Sequence, residues 1–110
     1  MEVKRGDVVL CSAPGDYGKP RPALVVQSDL FNPTHASVTL CPITSEVISA
    51  PLFRLSIPPA RDNGLRKPSQ IMMDKITSQP LKRIGKVIGK LGTEQMNHVD
   101  RALKLWLNLV

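Results

Sequence analysis

Short runs of alternating apolar and polar residues cover most of the chain, and clusters of glycine and proline separate them. These runs predict strands at 7–11, 21–28, 37–44, 52–57, 69–74 and 81–90. Many short strands at such spacing favour a small barrel over alternating strand–helix units. The expected fold class is therefore mainly β, a small barrel of short antiparallel strands, and the length of 110 residues indicates a single domain, residues 1–110.

The C-terminal end of the chain has a different period and predicts an α-helix. Gly92 interrupts the preceding strand, Thr93 is expected to cap the helix, and Glu94 places negative charge in its first turn. Apolar residues then recur at helical spacing, at Met96, Val99, Leu103, Trp106, Leu107 and Val110. The helix is expected to pack on its own barrel. Leu105 and Leu109 widen the stripe, which leaves open that part of it packs on a second copy in a homodimer.

Composition excludes several classes of protein. No apolar run approaches the ~20 residues that cross a membrane, and the N-terminus carries no export signal, so we expect a cytoplasmic protein that does not bind membranes. Cys11 and Cys41 lie in apolar stretches and are expected to be buried thiols, although a single bridge between them is the alternative. The sequence has too few ligands for a zinc site and indicates no metal or cofactor.

Positive charge is concentrated in one segment. The chain has a net charge of +6 and a pI of about 9.8. Residues 61–90 hold eight basic and two acidic residues, which accounts for the entire excess, since the other residues balance at seven of each. A solvated, solubilising face is one interpretation of this segment. A phosphate backbone is the commonest ligand for such a concentration of charge and is the other.

Arg21 stands between two prolines at the start of the second predicted strand. If strands 21–28 and 37–44 form a hairpin in symmetric register, Val25 lies opposite Leu40, Ala23 opposite Pro42 and Arg21 opposite Thr44. Proline donates no ladder hydrogen bond, so this end of the pair should be loosely joined. A guanidinium and a hydroxyl would then converge at the mouth of the barrel and suit a phosphate group. The other interpretation of Arg21 is an ordinary surface residue or ion-pair partner.

Other catalytic signatures are missing from the sequence. His35 and His98 are the only histidines, and neither a glycine-rich phosphate loop nor a nucleophile elbow occurs. Aromatic residues make up only 4% of the chain, which limits base stacking. Tyr17 is the best placed of them for RNA, whereas Phe53 and Trp106 are expected in the core.

Several motifs, taken in order, resemble the MazF/PemK family of toxin endoribonucleases. They are RGDVVL from Arg5, RPALVV from Arg21, CPITS from Cys41, the pattern GL-x3-S-x4-D from Gly64 to Asp74, and IGKL before the terminal helix. The resemblance implies an SH3-like barrel, a homodimer and sequence-specific, metal-independent cleavage of single-stranded RNA such as mRNA. It also implies an antitoxin whose acidic, disordered segment occupies the RNA groove.

The resemblance assigns catalysis to Arg21 and Thr44. The 2′-hydroxyl would attack the adjacent phosphorus and leave a 2′,3′-cyclic phosphate and a 5′-hydroxyl. Asp74 and Ser45 are possible catalytic or base-contacting residues, and the expected RNA-binding residues are Tyr17, Lys19, Ser69, Lys75 and Arg83. The general base is not identified, because a guanidinium with a pKa above about 12 is a poor base.

The chain departs from the family pattern at two positions. Some PemK-like members carry an arginine two residues before the aspartate, where this chain has Met72. The residue after the aspartate is commonly glutamine and here is Lys75, which is expected to alter base preference. Two other functions are kept as alternatives: a non-catalytic toxin like the CcdB type, which blocks DNA gyrase by protein contact, and an RNA-binding barrel without cleavage.

Overall fold

The computed structural model describes residues 2–12, 14–15 and 19–109. In this part of the chain the elements are β1 Asp7–Cys11, β2 Arg21–Val25, β3 Ser37–Thr44, β4 Arg54–Ile57, β5 Ser69–Met72, β6 Thr77–Pro80, β7 Ile84–Lys90 and α1 Thr93–Leu107. Two 3-10 turns, Met73–Lys75 and Leu81–Arg83, precede β6 and β7. The prediction of a mainly β fold with a C-terminal helix is confirmed.

The strands pair antiparallel in the order β4, β5, β3, β2, β1, β7, and β6 pairs with β3. β3 is shared along its length, since residues 37–40 pair with β6 and residues 43–44 pair with β5. Among the described residues β4 and β7 pair with no further strand and end the order. The predicted barrel is therefore an open sheet in its hydrogen bonding.

The register predicted for β2 and β3 is confirmed where the two strands pair. Ala23 lies opposite Pro42 and Val25 lies opposite Leu40. The described pairing stops at Ala23, and beyond that point the two strands turn to other neighbours. Arg21 is opposite Cys11 in β1, and Thr44 is opposite Gln70 in β5. The loosely joined end expected from the prolines is thus present.

The central strands bury both of their faces, because alternate residues of β1, β2 and β3 point into two different cores. One core packs the sheet against α1 and contains Val8, Leu24, Val26, Cys41, Ile43, Ile57, Ile71, Met73, Leu91, Val99 and Leu103. The other core lies on the opposite face and contains Val3, Val9, Cys11, Ala23, Val25, Val38, Leu40 and Ile84. Arg21 and Thr44 share strand faces with this second core, since they lie at even spacing from Ala23 and Leu40.

Four predicted strand boundaries were wrong for local reasons. β2 ends at Val25 because the next two N–H groups, of Val26 and Gln27, both donate to the Thr39 carbonyl, as in a bulge. β4 starts at Arg54, two residues later than predicted, since a turn from Ala50 precedes it. The predicted strand at 69–74 ends early because a 3-10 turn starts at Met73, and the predicted strand at 81–90 starts late because its first three residues form the other 3-10 turn.

β6 was missed altogether. Its residues are Thr77–Pro80, and their burial alternates between half-buried and exposed with no fully buried position. A strand of this kind carries no apolar alternation in its sequence. Its pairing with β3, including Thr39 Oγ1 to Ser78 Oγ at 2.8 Å, makes it part of the sheet.

The helix begins one residue earlier than predicted, and its apolar stripe is only partly buried. Gly92 is the N-cap and its N–H donates to Gln95 Oε1 at 3.4 Å, so Thr93 is the first helical residue instead of the cap. Val99 and Leu103 are buried, but Trp106 is 45% exposed, and its ring is tilted against that of Phe53 with the centroids 5.4 Å apart. The expectation that Trp106 belongs to the core was therefore wrong. No helix in the described residues has the length and apolar character needed to span a bilayer.

Candidate active site

A groove of about 1050 Å³ opens beside the second core, where β2 and β3 diverge. Its floor is apolar and includes Ala23, Leu40 and Pro42. Its walls come from the segments around residues 44–48 and 64–67 and from the ends of β1, β4 and β5. The divergence of the two strands thus creates a space that a ligand can enter.

Arg21 and Thr44 both line this groove, although the described pairing of β2 with β3 ends before the predicted Arg21–Thr44 pair. Arg21 is exposed at the first position of β2, and Thr44 is half-buried at the last position of β3. Thr44 Oγ1 accepts a hydrogen bond from the backbone N–H of Glu46 at 3.1 Å. A hydroxyl that accepts in this way keeps its own proton for donation, so Thr44 can donate to an anionic oxygen in the groove.

The groove is strongly cationic. Among the described lining residues the cations are Arg21, Arg54, Arg66, Lys67 and Lys75, and the one carboxylate is that of Glu46. Three of them belong to the basic segment 61–90, so part of that segment faces the groove. The other cations of the segment are not among the lining residues, and the interpretation as a solvated face holds for Lys82, Lys86 and Lys90, which are exposed.

Two short networks fix the walls of the groove. Gln70 is buried and clamps the 46–50 loop, because its Nε2 donates to the Ile48 carbonyl and its Oε1 accepts from the Ile48 N–H. Asn63 is buried and closes the other wall. Its Nδ2 donates to the Pro58 carbonyl at 3.0 Å and its Oδ1 accepts from the N–H groups of Ala60 and Leu65.

The other residues singled out from the sequence have different environments. Ser45 and Lys75 line the groove and are exposed. Ser69 also lines it but is buried, and its hydroxyl donates to the Lys67 carbonyl at 2.8 Å. Asp74 is not a lining residue, and both of its carboxylate oxygens accept from Arg54.

Two expected RNA-binding residues, Lys19 and Arg83, lie outside the described lining of the groove. Lys19 is exposed just before β2. Arg83 is half-buried and its Nη1 donates to the Ser12 carbonyl at 3.1 Å, which ties the end of β1 to the second 3-10 turn. Tyr17 falls outside the described residues.

Arg54, Arg66, Lys67 and Glu46 were missed as site residues. Arg66 and Lys67 were counted in the basic segment without being singled out. Arg54 could have been found from the alternation in residues 53–57. This alternation turns Arg54 and Ser56 to one face of the strand and Leu55 and Ile57 to the other, inward face. Glu46 had none, since its position depends on the turn that follows β3.

The cysteines and histidines are placed as expected. Cys11 and Cys41 are both buried. Burial raises the pKa of Cys41 to about 12, and neighbouring Arg5 opposes this shift only in part. His98 is exposed on α1. No group of three or more His, Cys, Asp or Glu side chains suited to a metal occurs among the residues that the structure describes.

Comparison with known proteins gives one consistent set of relatives. Residues 4–107 match the family model described as PemK-like, MazF-like toxin of type II toxin–antitoxin system. The probable endoribonuclease MazF of Mycolicibacterium smegmatis is 41% identical over 97% of this chain and 98% of its own length. Endoribonuclease EndoA of Bacillus subtilis is 31% identical over 100% of this chain and 98% of its own length.

Solved structures show the same fold at lower identity. An endoribonuclease from a mycobacterial species, in complex with its cognate antitoxin, superposes with a TM-score of 0.83 at 22% identity, over 98% of this chain and 97% of that one. MazF in a MazE–MazF complex from Deinococcus radiodurans superposes with a TM-score of 0.79 at 21% identity, over 98% of this chain and 97% of that one.

Proposed function

The chain belongs to the family of PemK-like and MazF-like toxins of type II toxin–antitoxin systems, and from this premise we propose that it is an endoribonuclease toxin whose active site is the groove between β2 and β3. The observation that supports this site is that Arg21 and Thr44 line one cationic groove. The substrate is single-stranded RNA, including mRNA, cut at a preferred sequence without a metal ion.

Arg21 and Thr44 suit a reaction in which negative charge builds up on phosphorus. The planar guanidinium of Arg21 can donate two parallel hydrogen bonds to phosphate oxygens. The Thr44 hydroxyl, oriented by the Glu46 N–H, can donate to a third. Donors fixed in advance of the reaction can lower such a barrier by several kcal/mol.

The reaction we propose is an intramolecular transesterification. The 2′-oxygen of the ribose forms a bond to the adjacent phosphorus while the bond from phosphorus to the 5′-oxygen breaks. The 2′-hydroxyl proton passes to a base, and the departing 5′-oxygen takes up a proton. The products are a 2′,3′-cyclic phosphate and a 5′-hydroxyl, and no external water or redox partner is consumed.

Glu46 is the candidate for the general base. It is the carboxylate among the described lining residues, and its backbone N–H already orients Thr44. A carboxylate is a competent base when it lies within hydrogen-bond reach of the hydroxyl that reacts. Arg21 serves chiefly to stabilise charge, because a guanidinium stays protonated at any working pH.

The groove can also accommodate an inhibitor. An acidic polypeptide segment offers carboxylates to the same cations that bind phosphates, so a cognate antitoxin would block RNA by occupying the groove. Antitoxin complexes are known for the mycobacterial and Deinococcus relatives. We propose that this toxin acts in the cytoplasm, where mRNA and such an antitoxin meet.

A homodimer would cover the apolar surface at the end of α1. Leu105, Leu107 and Leu109 are 57%, 44% and 68% exposed. An apolar hollow of about 370 Å³ lies next to them and is lined in part by Leu103, Leu107 and Leu109. Exposed leucines grouped in this way favour a contact between two chains.

The function is tested by incubating the protein with a long structureless RNA in excess chelator and characterising the fragment ends. We expect 2′,3′-cyclic phosphate and 5′-hydroxyl ends, and loss of cutting in Arg21→Ala and Thr44→Ala. Arg101→Ala, an exposed arginine of α1 outside the groove, serves as the control. Intact RNA with the native protein would rule the proposal out, and inhibition of DNA supercoiling in the same preparation would favour a gyrase-binding toxin.

A further inference from the structure

Arg54 and Asp74 form a two-point ion pair at the wall of the groove. Arg54 Nε donates to Asp74 Oδ1 at 3.2 Å, and Arg54 Nη2 donates to Asp74 Oδ2 at 3.1 Å. The side chains are 11% and 17% exposed. This geometry fixes both the position and the plane of the guanidinium.

The pair leaves most of the donors of Arg54 unused. A guanidinium has five N–H groups, and Asp74 takes two of them. The described residues provide no acceptor for the other three, yet they contain no fully buried side-chain nitrogen that lacks a partner. The unused edge of Arg54 is therefore reached by solvent. Since Arg54 lines the groove and Asp74 does not, that edge is available from the groove.

Strand β5 fixes where Arg54 lies relative to Thr44. Thr44 pairs with Gln70 on one side of β5, and Arg54 pairs with Met72 on the other side. Gln70 and Met72 are two residues apart and share one face of the sheet, so Thr44 and Arg54 are diagonal neighbours across β5. Standard strand spacings put their Cα atoms roughly 12 Å apart.

The same pairing bears on the departure at position 72. Met72 stands where some PemK-like members carry an arginine, and the residue directly opposite it is Arg54. The guanidinium at this wall of the groove therefore belongs to Arg54 of β4. It contacts Asp74, and Met72 lines the same wall.

We propose that Arg54 binds an RNA phosphate next to the one held by Arg21 and Thr44, and that Asp74 is a positioning residue that holds the Arg54 guanidinium. This inference rests on the proposed function, since it takes RNA as the ligand of the groove. The ion pair is close to neutral as a whole, but its negative half is turned away from the groove and its donors face into it. An extended RNA strand then meets the guanidinium groups of Arg21 and Arg54 in succession.

The test measures binding to a single-stranded 2′-O-methyl RNA at several salt concentrations. This RNA lacks the 2′-hydroxyl nucleophile, so binding is read without cleavage. Each phosphate contact on a single strand contributes about 0.7 to the slope of log K against log salt. We expect Arg54→Ala to reduce the slope by about 0.7 and to weaken binding roughly tenfold at low salt. Arg54→Lys keeps the charge and should restore the slope.

Asp74→Asn separates positioning from binding. It keeps the cation, so the salt slope should stay native, while cleavage of ordinary RNA should fall roughly tenfold because the guanidinium is no longer fixed. Arg101→Ala is the matched control for the loss of one arginine and should change neither quantity.

Arg54→Ala leaves a half-buried carboxylate without its partner and can unfold the protein. The double variant Arg54→Gln with Asp74→Asn avoids this by replacing the ion pair with a neutral one, and it should show the same loss of slope. A native slope in this folded double variant would overturn the inference. If the native protein cuts RNA and the slope is unchanged, only this inference fails. If the slope falls but ordinary RNA stays intact, the proposed cleavage fails and the phosphate contact stands.

Discussion

The Thr44 hydroxyl accepts a hydrogen bond from the backbone N–H of Glu46 at 3.1 Å, so the residue proposed to donate to phosphate is oriented by the residue proposed as the base. The bond belongs to the turn that ends β3. The geometry of this turn therefore determines the direction in which the Thr44 proton can point, and changes at either residue should affect catalysis more than folding.

Replacing Thr44 tests the hydroxyl directly. Thr44→Val keeps the shape of the side chain and removes both the donor and the acceptor, so we expect cleavage to fall at least about 100-fold. The free energy of unfolding should change by only about 1 kcal/mol, the contribution of one hydrogen bond. Thr44→Ser should retain most of the activity. The measurement is the single-turnover rate of RNA cleavage, with urea unfolding as the stability check; equal rates for Val and Ser would contradict the role of the hydroxyl.

Replacing Glu46 tests the base. Glu46→Gln preserves the backbone N–H that orients Thr44 but cannot take a proton, so the single-turnover rate should fall about 100-fold or more. RNA binding should be unchanged or tighter, because one negative charge leaves a cationic groove. Glu94→Gln, at an exposed carboxylate in the first turn of α1, is the matched control. A parallel loss of RNA affinity and rate would instead indicate a binding role for Glu46.

Gly89 is required by the close approach of the 62–63 backbone to β7. A Cβ at Gly89 would lie 2.4 Å from the Asn63 carbonyl carbon and 2.5 Å from the Asp62 oxygen. Both are backbone atoms, held by the hydrogen bond from the Lys90 N–H to the Asp62 carbonyl at 2.8 Å. We expect Gly89→Ala to lower the free energy of unfolding by at least about 2 kcal/mol.

Gly85→Ala is the control for this substitution on the same strand. Its nearest contact would be the Leu10 carbonyl oxygen at 3.3 Å, so the cost should stay below about 1 kcal/mol. Urea unfolding of both variants provides the comparison. Similar stabilities for the two would show that the 62–63 loop moves away without cost.

Asp29 should make stability depend on acid pH. Its Oδ1 accepts from the Arg5 N–H at 2.7 Å and from Asn32 Nδ2 at 2.9 Å, and these bonds lower the pKa of the carboxyl. A lowered folded-state pKa means that the stabilising contribution is fully present above the unfolded value of about 3.9. It is lost as the pH falls from there through the folded-state pKa.

The comparison for Asp29 is between the native protein and Asp29→Asn. The native protein should be the more stable of the two at pH 7, and the difference should shrink as the pH falls below about 4. Urea unfolding at pH 7, 5, 4 and 3 measures it. A difference that is constant over this range would show that the Asp29 charge adds nothing to folding. Asp62→Asn, at an exposed carboxylate, is the control.

The class of fold and the register between β2 and β3 could both be predicted from the sequence. A symmetric register between two strands predicted to be equal in length set Ala23 opposite Pro42, whereas a slip of one residue would have turned their side chains to the other face. β6 could not be predicted in this way. Its residues are held by hydrogen bonds to the first half of β3 and bury no complete side chain, so their sequence carries no period.

Only part of the groove lining could be predicted, and the family resemblance supplied Ser45, Ser69 and Lys75. Arg21 and Thr44 followed from strand register, whereas Arg54 and Glu46 depend on contacts between segments distant in sequence or on the shape of a turn. The Arg54 to Asp74 pair joins strand β4 to a 3-10 turn 20 residues later. Periodicity along a chain contains no information about which charged side chains meet across it.

The exposed leucines at the end of α1 predict that the protein is a dimer through this face. In the sequence, Leu105 and Leu109 widen the apolar stripe of the helix. In the structure they are 57% and 68% exposed. Replacing either by glutamate would bury a charge in an apolar contact, which costs several kcal/mol unless the contact separates. We therefore expect a dimer for the native protein in sedimentation velocity experiments and a monomer for the Leu105→Glu, Leu109→Glu double variant. Leu30→Glu, at a leucine that is 77% exposed in the loop between β2 and β3, is the matched control and should remain dimeric. If the dimer survives the double substitution but is lost in Leu30→Glu, the interface lies on the loop between β2 and β3 instead of on α1. The reason is that a charged side chain loses its solvation only when it lies inside the contact between the two chains.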